Sequence, residues 1–201
     1  MSLLRTKDFK IISHARHYWI KDLTDDAFLN RTKNNDWLIK AFSNFLSKYP
    51  DSKSLLILFE YGKDFMESKI LCDELKISEN ILWLPTMQRK EILTLISECD
   101  IGAGEFQNGG IMMGSCGYEI ISKKKPLFQG PLEEEKFHQI TGIPRAPGFY
   151  LDSSKKIEET IITLYEDREL RESMGEKAYD WYEAYSGSEN ARRIVKLISE
   201  K

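Results

Sequence analysis

The chain lacks most of the features that would place it in a specialised class. Its 201 residues include only twelve glycines and six prolines, too few for a collagen-like, linker or low-complexity protein. The three cysteines, Cys72, Cys99 and Cys116, are odd in number, far apart and outside any C-x-x-C pair. They read as buried, reduced thiols of a cytoplasmic chain rather than a disulfide framework. Charge of one sign is also missing, since 29 Lys and Arg face 32 Asp and Glu for a formal net charge of −3. No global field therefore draws the chain to nucleic acid or anionic lipid, and an anionic ligand must be held by local chemistry. No apolar run approaches the ~18–20 residues of a membrane span, and Lys7-Asp8 interrupt any signal-peptide core.

Several catalytic fingerprints are absent too. No G-x-G-x-x-G follows the first predicted strand and no G-x-x-x-x-G-K-[ST] occurs, which excludes a dinucleotide fingerprint and a P-loop. A nucleophile elbow at Ser115 would need glycine at position 113, where Met113 stands. His14 and His17 lie at a strand end with no third ligand in a sequence pattern that metal binding would require, so neither metal nor cofactor is expected.

What is present is an alternation of two periodicities. Short, nearly continuous apolar runs at Phe9–Ile12, Leu55–Phe59, Ile81–Leu84, Ile101–Ala103 and Pro126–Phe128 predict strands buried on both faces, with one more at Phe149–Leu151. Between them, apolar residues recur at helical spacing: Leu38, Ala41, Phe42, Phe45, Leu46 and Tyr49, then Met66, Ile70, Leu71 and Leu75, then Ile92, Leu95, Ile96 and Cys99. Strand and helix in alternation predict an α/β fold with a parallel sheet and right-handed crossovers. Beyond Gly148 the pattern becomes a helical tail, capped by Ser153 or Ser154. One stripe runs through Met174, Ala178, Trp181, Tyr182 and Tyr185, and another through Ala191, Ile194, Val195 and Ile198. Gln129–Gly148 is the longest stretch expected to be irregular.

Ligands of an open parallel sheet gather beyond the carboxyl ends of its strands. The candidate loops are Ser13–Trp19, Tyr61-Gly62, Pro85–Met87 and Gly102–Glu119. In the last, Gly109-Gly110 precede Ile111-Met112-Met113, which reads as a helical opening whose bare N–H groups suit a phosphate. Arg16, Arg31 and Lys33 are three cations able to converge on the same cleft, by bidentate and point-charge contacts. Lys123-Lys124-Lys125 reads as a charged helix end without a ligand.

From Asn34 to the C-terminus the chain resembles the C-terminal, donor-binding half of GT-B glycosyltransferases, in the retaining family 4-like group (glycosyl transferases group 1). The blocks that carry the likeness are Lys33–Phe42 (KNNDWLIKAF), Lys90-Glu91-Ile92, Cys99-Asp100-Ile101, Tyr118–Leu127 (YEIISKKKPL), and Asp167–Ala178 (DRELRESMGEKA) with Tyr185-Ser186. The resemblance implies a Rossmann-like three-layer α/β/α domain over 9–201 with C-terminal helices from about 153 to 199, residues 1–8 being a lead-in.

It further implies a nucleotide-diphosphate sugar as substrate, in a hexosyl- or mannosyltransferase-like reaction of polysaccharide or glycolipid synthesis. Arg16 and Lys33 would hold the pyrophosphate, with Gly62 allowing close approach and Gly109, Gly110, Ile111 and Met112 contributing. Pro85, Thr86 and Met87 would border the base, and Glu119 would accept from the ribose hydroxyls. The family often carries a second Glu eight positions before the first, and here that position is Ile111. Glu105, Gln107 or Asn108 stand in the same loop, Glu105 being the catalytic candidate. An N-terminal acceptor domain is implied as a partner, and with it a location at the cytoplasmic membrane face. The alternatives within this fold are a non-catalytic nucleotide- or sugar-binding module and a nucleotide-sugar epimerase.

Overall fold

The computed structural model describes residues 2–20, 32–107 and 112–199. A short helix α1 (Ser2–Arg5) leads into strand β1 (Phe9–Ser13). There follow α2 (Asn35–Lys48), β2 (Ser54–Phe59), α3 (Phe65–Glu74), β3 (Ile81–Leu84), α4 (Arg89–Ser97), β4 (Ile101–Ala103), α5 (Ser115–Ile121), β5 (Leu127–Gln129), α6 (Glu134–Thr141), β6 (Phe149–Tyr150), α7 (Ser154–Glu166), α8 (Arg168–Tyr185) and α9 (Ser188–Ser199). The six strands form one sheet in the order β3-β2-β1-β4-β5-β6, and every pairing is parallel. The chain order reverses direction at β1, so β1 and β4 flank the switch point where ligand crevices open in such sheets. Their register pairs Ser13 with Ala103 and aims both following loops at one place.

Two hydrophobic layers explain why the strands are mostly apolar. Ile11, Leu56, Leu58 and Ile101 face α2 and α7 on one side of the sheet. Ile12, Leu55, Ile57 and Phe59 face α4, α5 and α8 on the other. Each such side chain taken fully from water contributes ~1.5–3 kcal/mol, which fixes the register against a one-residue slip. The three cysteines are free and buried, and burial pushes the thiols of Cys72, Cys99 and Cys116 up to about 12. Among the described residues no helix is long and apolar enough to cross a membrane.

Four expectations are corrected. Met66 and Ile70 are 51% and 52% exposed, because α3 instead turns Ser68 and Cys72 inward. The Ser68 hydroxyl is needed there: it accepts from the Trp19 indole N–H at 2.8 Å and lies 2.8 Å from His17 Nδ1. Ile194, Val195 and Ile198 are exposed on α9, which packs against α8. The stretch Gln129–Gly148 is not wholly irregular, since α6 forms within it around the buried Phe137 and ends on Gly142 in the left-handed region at φ 72°. The helix expected to open at Ile111 begins only at Ser115, with extended Gly114 as its cap.

Candidate functional site

The loops after β1, β2 and β4 meet at the carboxyl edge of the sheet and are tied together by backbone hydrogen bonds. His17 N–H donates to Tyr61 O at 3.0 Å and Asp64 N–H to His17 O at 3.1 Å, which bridges the loops after β1 and β2. Gly62, at φ 111°, permits this approach, for a Cβ there would lie 2.3 Å from the His17 nitrogen. Gly62 thus packs against the backbone of the loop after β1. Asn34, left-handed at φ 44°, donates its side-chain amide to Phe106 O at 2.7 Å, while Phe106 N–H donates to Lys33 O at 3.2 Å. This brings Lys33 against the loop after β4.

Lys33 is 7% exposed. Its Nζ lies 2.6 Å from Glu105 Oε2 and 3.4 Å from Gln107 Oε1. The Glu105 carboxylate also rests against Gly114, 3.3 Å from where a Cβ would stand. A larger residue at this cap would push the carboxylate away from Lys33. Glu105 therefore reaches the mouth of the site already joined to a cation.

Glu119 is the second acid of the mouth, 9% exposed on α5. Its Oε2 lies 2.7 Å from His14 Nε2 and its Oε1 2.8 Å from Arg89 Nε. Burial is the largest influence on His14 and lowers its pKa despite the raising effect of the Glu119 bond. The ring is therefore neutral at pH 7 and carries its proton on Nε2, since a carboxylate only accepts. His14 Nδ1 is left buried with no hydrogen-bond partner. Tyr61 closes the group by donating its hydroxyl to His14 O at 2.7 Å. Burial is the main cause that pushes that phenol up to about 12.

Arg16 stands slightly apart. With Tyr18, Gly62 and Lys63 it lines a cavity of about 420 Å³ beside the bridge between the two loops. Pro85, Thr86 and Met87 form the loop from β3 into α4, whose first residue is Arg89. Met112 is exposed ahead of α5, whereas Arg31, Asn108, Gly109, Gly110 and Ile111 lie outside the described residues. His14 and His17, considered together as a metal pair in the sequence, part company towards Glu119 and Ser68.

Sequence reasoning missed Arg89 and Lys63, and named Tyr61 only as part of a candidate loop. Each had an available signal, since each lies at or next to a loop that leaves the carboxyl end of a strand.

No family sequence model matches the chain, and no curated protein matches it either. Solved structures do. The C-terminal domain of a glycosyl transferase group 1 family protein, LpcC, from Francisella tularensis superposes with a TM-score of 0.65 at 18% identity, over 89% of this chain and 86% of that one. This is the fold of the C-terminal half of a GT-B glycosyltransferase. Anabaena Alr3699/HepE in complex with UDP matches with a TM-score of 0.70 at 15% identity, over 98% of this chain and 50% of that one. The pneumococcal O-GlcNAc transferase GtfA in complex with UDP and GlcNAc matches with a TM-score of 0.66 at 18% identity, over 96% of this chain and 36% of that one. The chain thus spans about the length of the LpcC domain, but half or less of the Anabaena and pneumococcal proteins. In this topology the cluster around Glu119 lies beside the switch between β1 and β4.

Proposed function

We propose that residues 9–201 form the nucleotide-sugar-binding domain of a glycosyltransferase. In this reading the domain presents a nucleoside diphosphate sugar for transfer, with retention, to a polysaccharide or glycolipid acceptor held by a partner domain at the cytoplasmic face of a membrane. The observation that carries it is a buried carboxylate, Glu119, held at the crevice of the sheet by His14 and Arg89. A vicinal diol presents two donors at a separation that one carboxylate can accept. Glu119 therefore takes the ribose, the loop Pro85, Thr86 and Met87 borders the base, and Arg16 meets the diphosphate. Related folds supply support in kind, since the structures of HepE and GtfA hold UDP.

The test is calorimetry with UDP, GDP and ADP. One of the three should bind, and Glu119→Ala should weaken it about ten- to a hundredfold, the ~1.5–3 kcal/mol of a hydrogen bond to a charged group. Unchanged affinity removes Glu119 from the site.

A second reading, a nucleotide-binding module without transfer, is favoured by one observation: Glu105, the acid nearest the expected sugar position, is committed to Lys33. Release of nucleoside diphosphate from a sugar donor by the chain joined to its acceptor domain separates the two.

A further inference from the structure

Glu119 has two carboxylate oxygens, and the fold gives them partners of opposite character. Oε2 lies 2.7 Å from Nε2 of the buried His14. Oε1 lies 2.8 Å from Arg89 Nε, on a side chain that is 73% exposed. The solvent side of the carboxylate is therefore the side that Arg89 covers, and only 10% of the Glu119 side chain stays open beside it.

Nothing local holds Arg89 in that place. It is the first residue of α4, an end where the helix dipole favours an anion over a cation. Glu91 meets that preference by accepting from Gln88 N–H at 2.9 Å, and Arg89 takes no part in the cap. Among the described residues, Glu119 is the one ion-pair partner of the Arg89 guanidinium. Such a pair is weak, because water screens its exposed half and ordering a long side chain costs entropy. It still answers a need of the free protein: burial lowers the pKa of His14, so without Arg89 the buried Glu119 would have no cation in contact. A guanidinium and a vicinal diol present the same thing to a carboxylate, adjacent donors aimed at its oxygens.

We propose that Arg89 is a stand-in for the ligand: it occupies the solvent-side oxygen of Glu119 in the free protein, leaves when the cis-diol of a ribose arrives, and so sets the affinity of the site. The proposal rests on the reading of Glu119 as the ribose acceptor, and its test is chosen so that the two fail separately. Uridine, guanosine and adenosine, with their 2′,3′-dideoxy forms, are titrated by calorimetry into the parent, Arg89→Ala, Lys90→Ala and Glu119→Ala at low and high salt. Neutral nucleosides are used because an anionic ligand would also feel the loss of the Arg89 charge. Arg89 and Lys90 are both exposed, so their variants should retain the fold.

The nucleoside that binds should bind Arg89→Ala about two- to fivefold tighter than the parent, the measure of an exposed ion pair. High salt should bring the parent towards the same affinity by screening the pair, and should leave Arg89→Ala unchanged. Lys90→Ala should match the parent. The dideoxy form cannot engage Glu119, so it should not distinguish Arg89→Ala from the parent. Arg89→Ala that binds the nucleoside no tighter than the parent, or not at all, overturns the proposal and leaves the ribose reading to Glu119→Ala. An equal gain for the dideoxy form also overturns it, since Arg89 would then obstruct the base and not the diol. If Glu119→Ala binds the nucleoside as the parent does, the ribose reading falls and the proposal with it.

Discussion

Two charged regions share the carboxyl edge of one sheet, and they differ in how the fold treats their charges. On the side of β4 and α5, Lys33 meets Glu105 and Glu119 meets both His14 and Arg89. On the side of β1 and β2, Arg16 and Lys63 stand together over a cavity. The first region is buried, and a buried charge is tolerated only when an opposite one is close. The second is open to water, which screens like charges until a ligand displaces it. Burial therefore dictates pairing in the first region, whereas Arg16 in the second stays exposed to water, which screens it.

The comparison breaks most severely at Lys33. Lys33→Ala leaves the Glu105 carboxylate without its cation, and the cost should be about 3 kcal/mol, the low end for a buried pair because Glu105 keeps some contact with solvent. Lys63→Ala, at an exposed position of the open region, should cost no more than about 1 kcal/mol. Urea denaturation of both variants measures the contrast, and equal losses would erase the distinction between the regions.

A pH series sharpens it next. Burial lowers His14 and lowers His17 to about 4. Between about 6.5, the unfolded value, and about 4, the unfolded chain binds protons that the folded chain refuses. Stability should therefore be full above pH 6.5 and fall as the pH drops towards 4, by up to about 3 kcal/mol for His17 alone. Melting curves at pH 7.5, 6 and 5 should show this fall, and His17→Gln should flatten it. A stability that rises on acidification contradicts the buried neutral imidazoles.

The smallest expected effect is at Arg89, whose side chain is 73% exposed although its partner is buried. Arg89→Ala should change stability by no more than about 1 kcal/mol, as surface ion pairs do, and the change should shrink further in 0.5 M salt. A loss as large as that of Lys33→Ala would place Arg89 with the buried pairs.

Much of the fold was legible because strands buried on both faces leave a signal that needs no partner to be seen. Leu55–Phe59 and Ile81–Leu84 carry unbroken apolar runs, and both became strands with nearly the predicted bounds. Helix faces were less legible. Met66 and Ile70 fit the helical period, yet Ser68 won the interior through hydrogen bonds to residues about fifty positions away. Periodicity records which residues are apolar and is blind to such a network.

The candidate site divides the same way. Arg16, Gly62 and Glu119 were visible because they follow strand ends or sit in a recognisable block. Arg89 was not, because nothing local marks it as a partner of Glu119, thirty positions further along the chain.

By itself, the sequence determined the alternation of strand and helix, the parallel sheet and the loops in which chemistry gathers, since all three follow from local periodicity and from the geometry of crossover connections. Only the tertiary structure decided which polar groups meet. Lys33 and Glu105 are 72 positions apart, and His14 and Glu119 are 105 apart. Pairing across such separations is set by the strand order β2-β1-β4-β5, because ion pairs and hydrogen bonds act within a few ångströms in space whatever the distance along the chain.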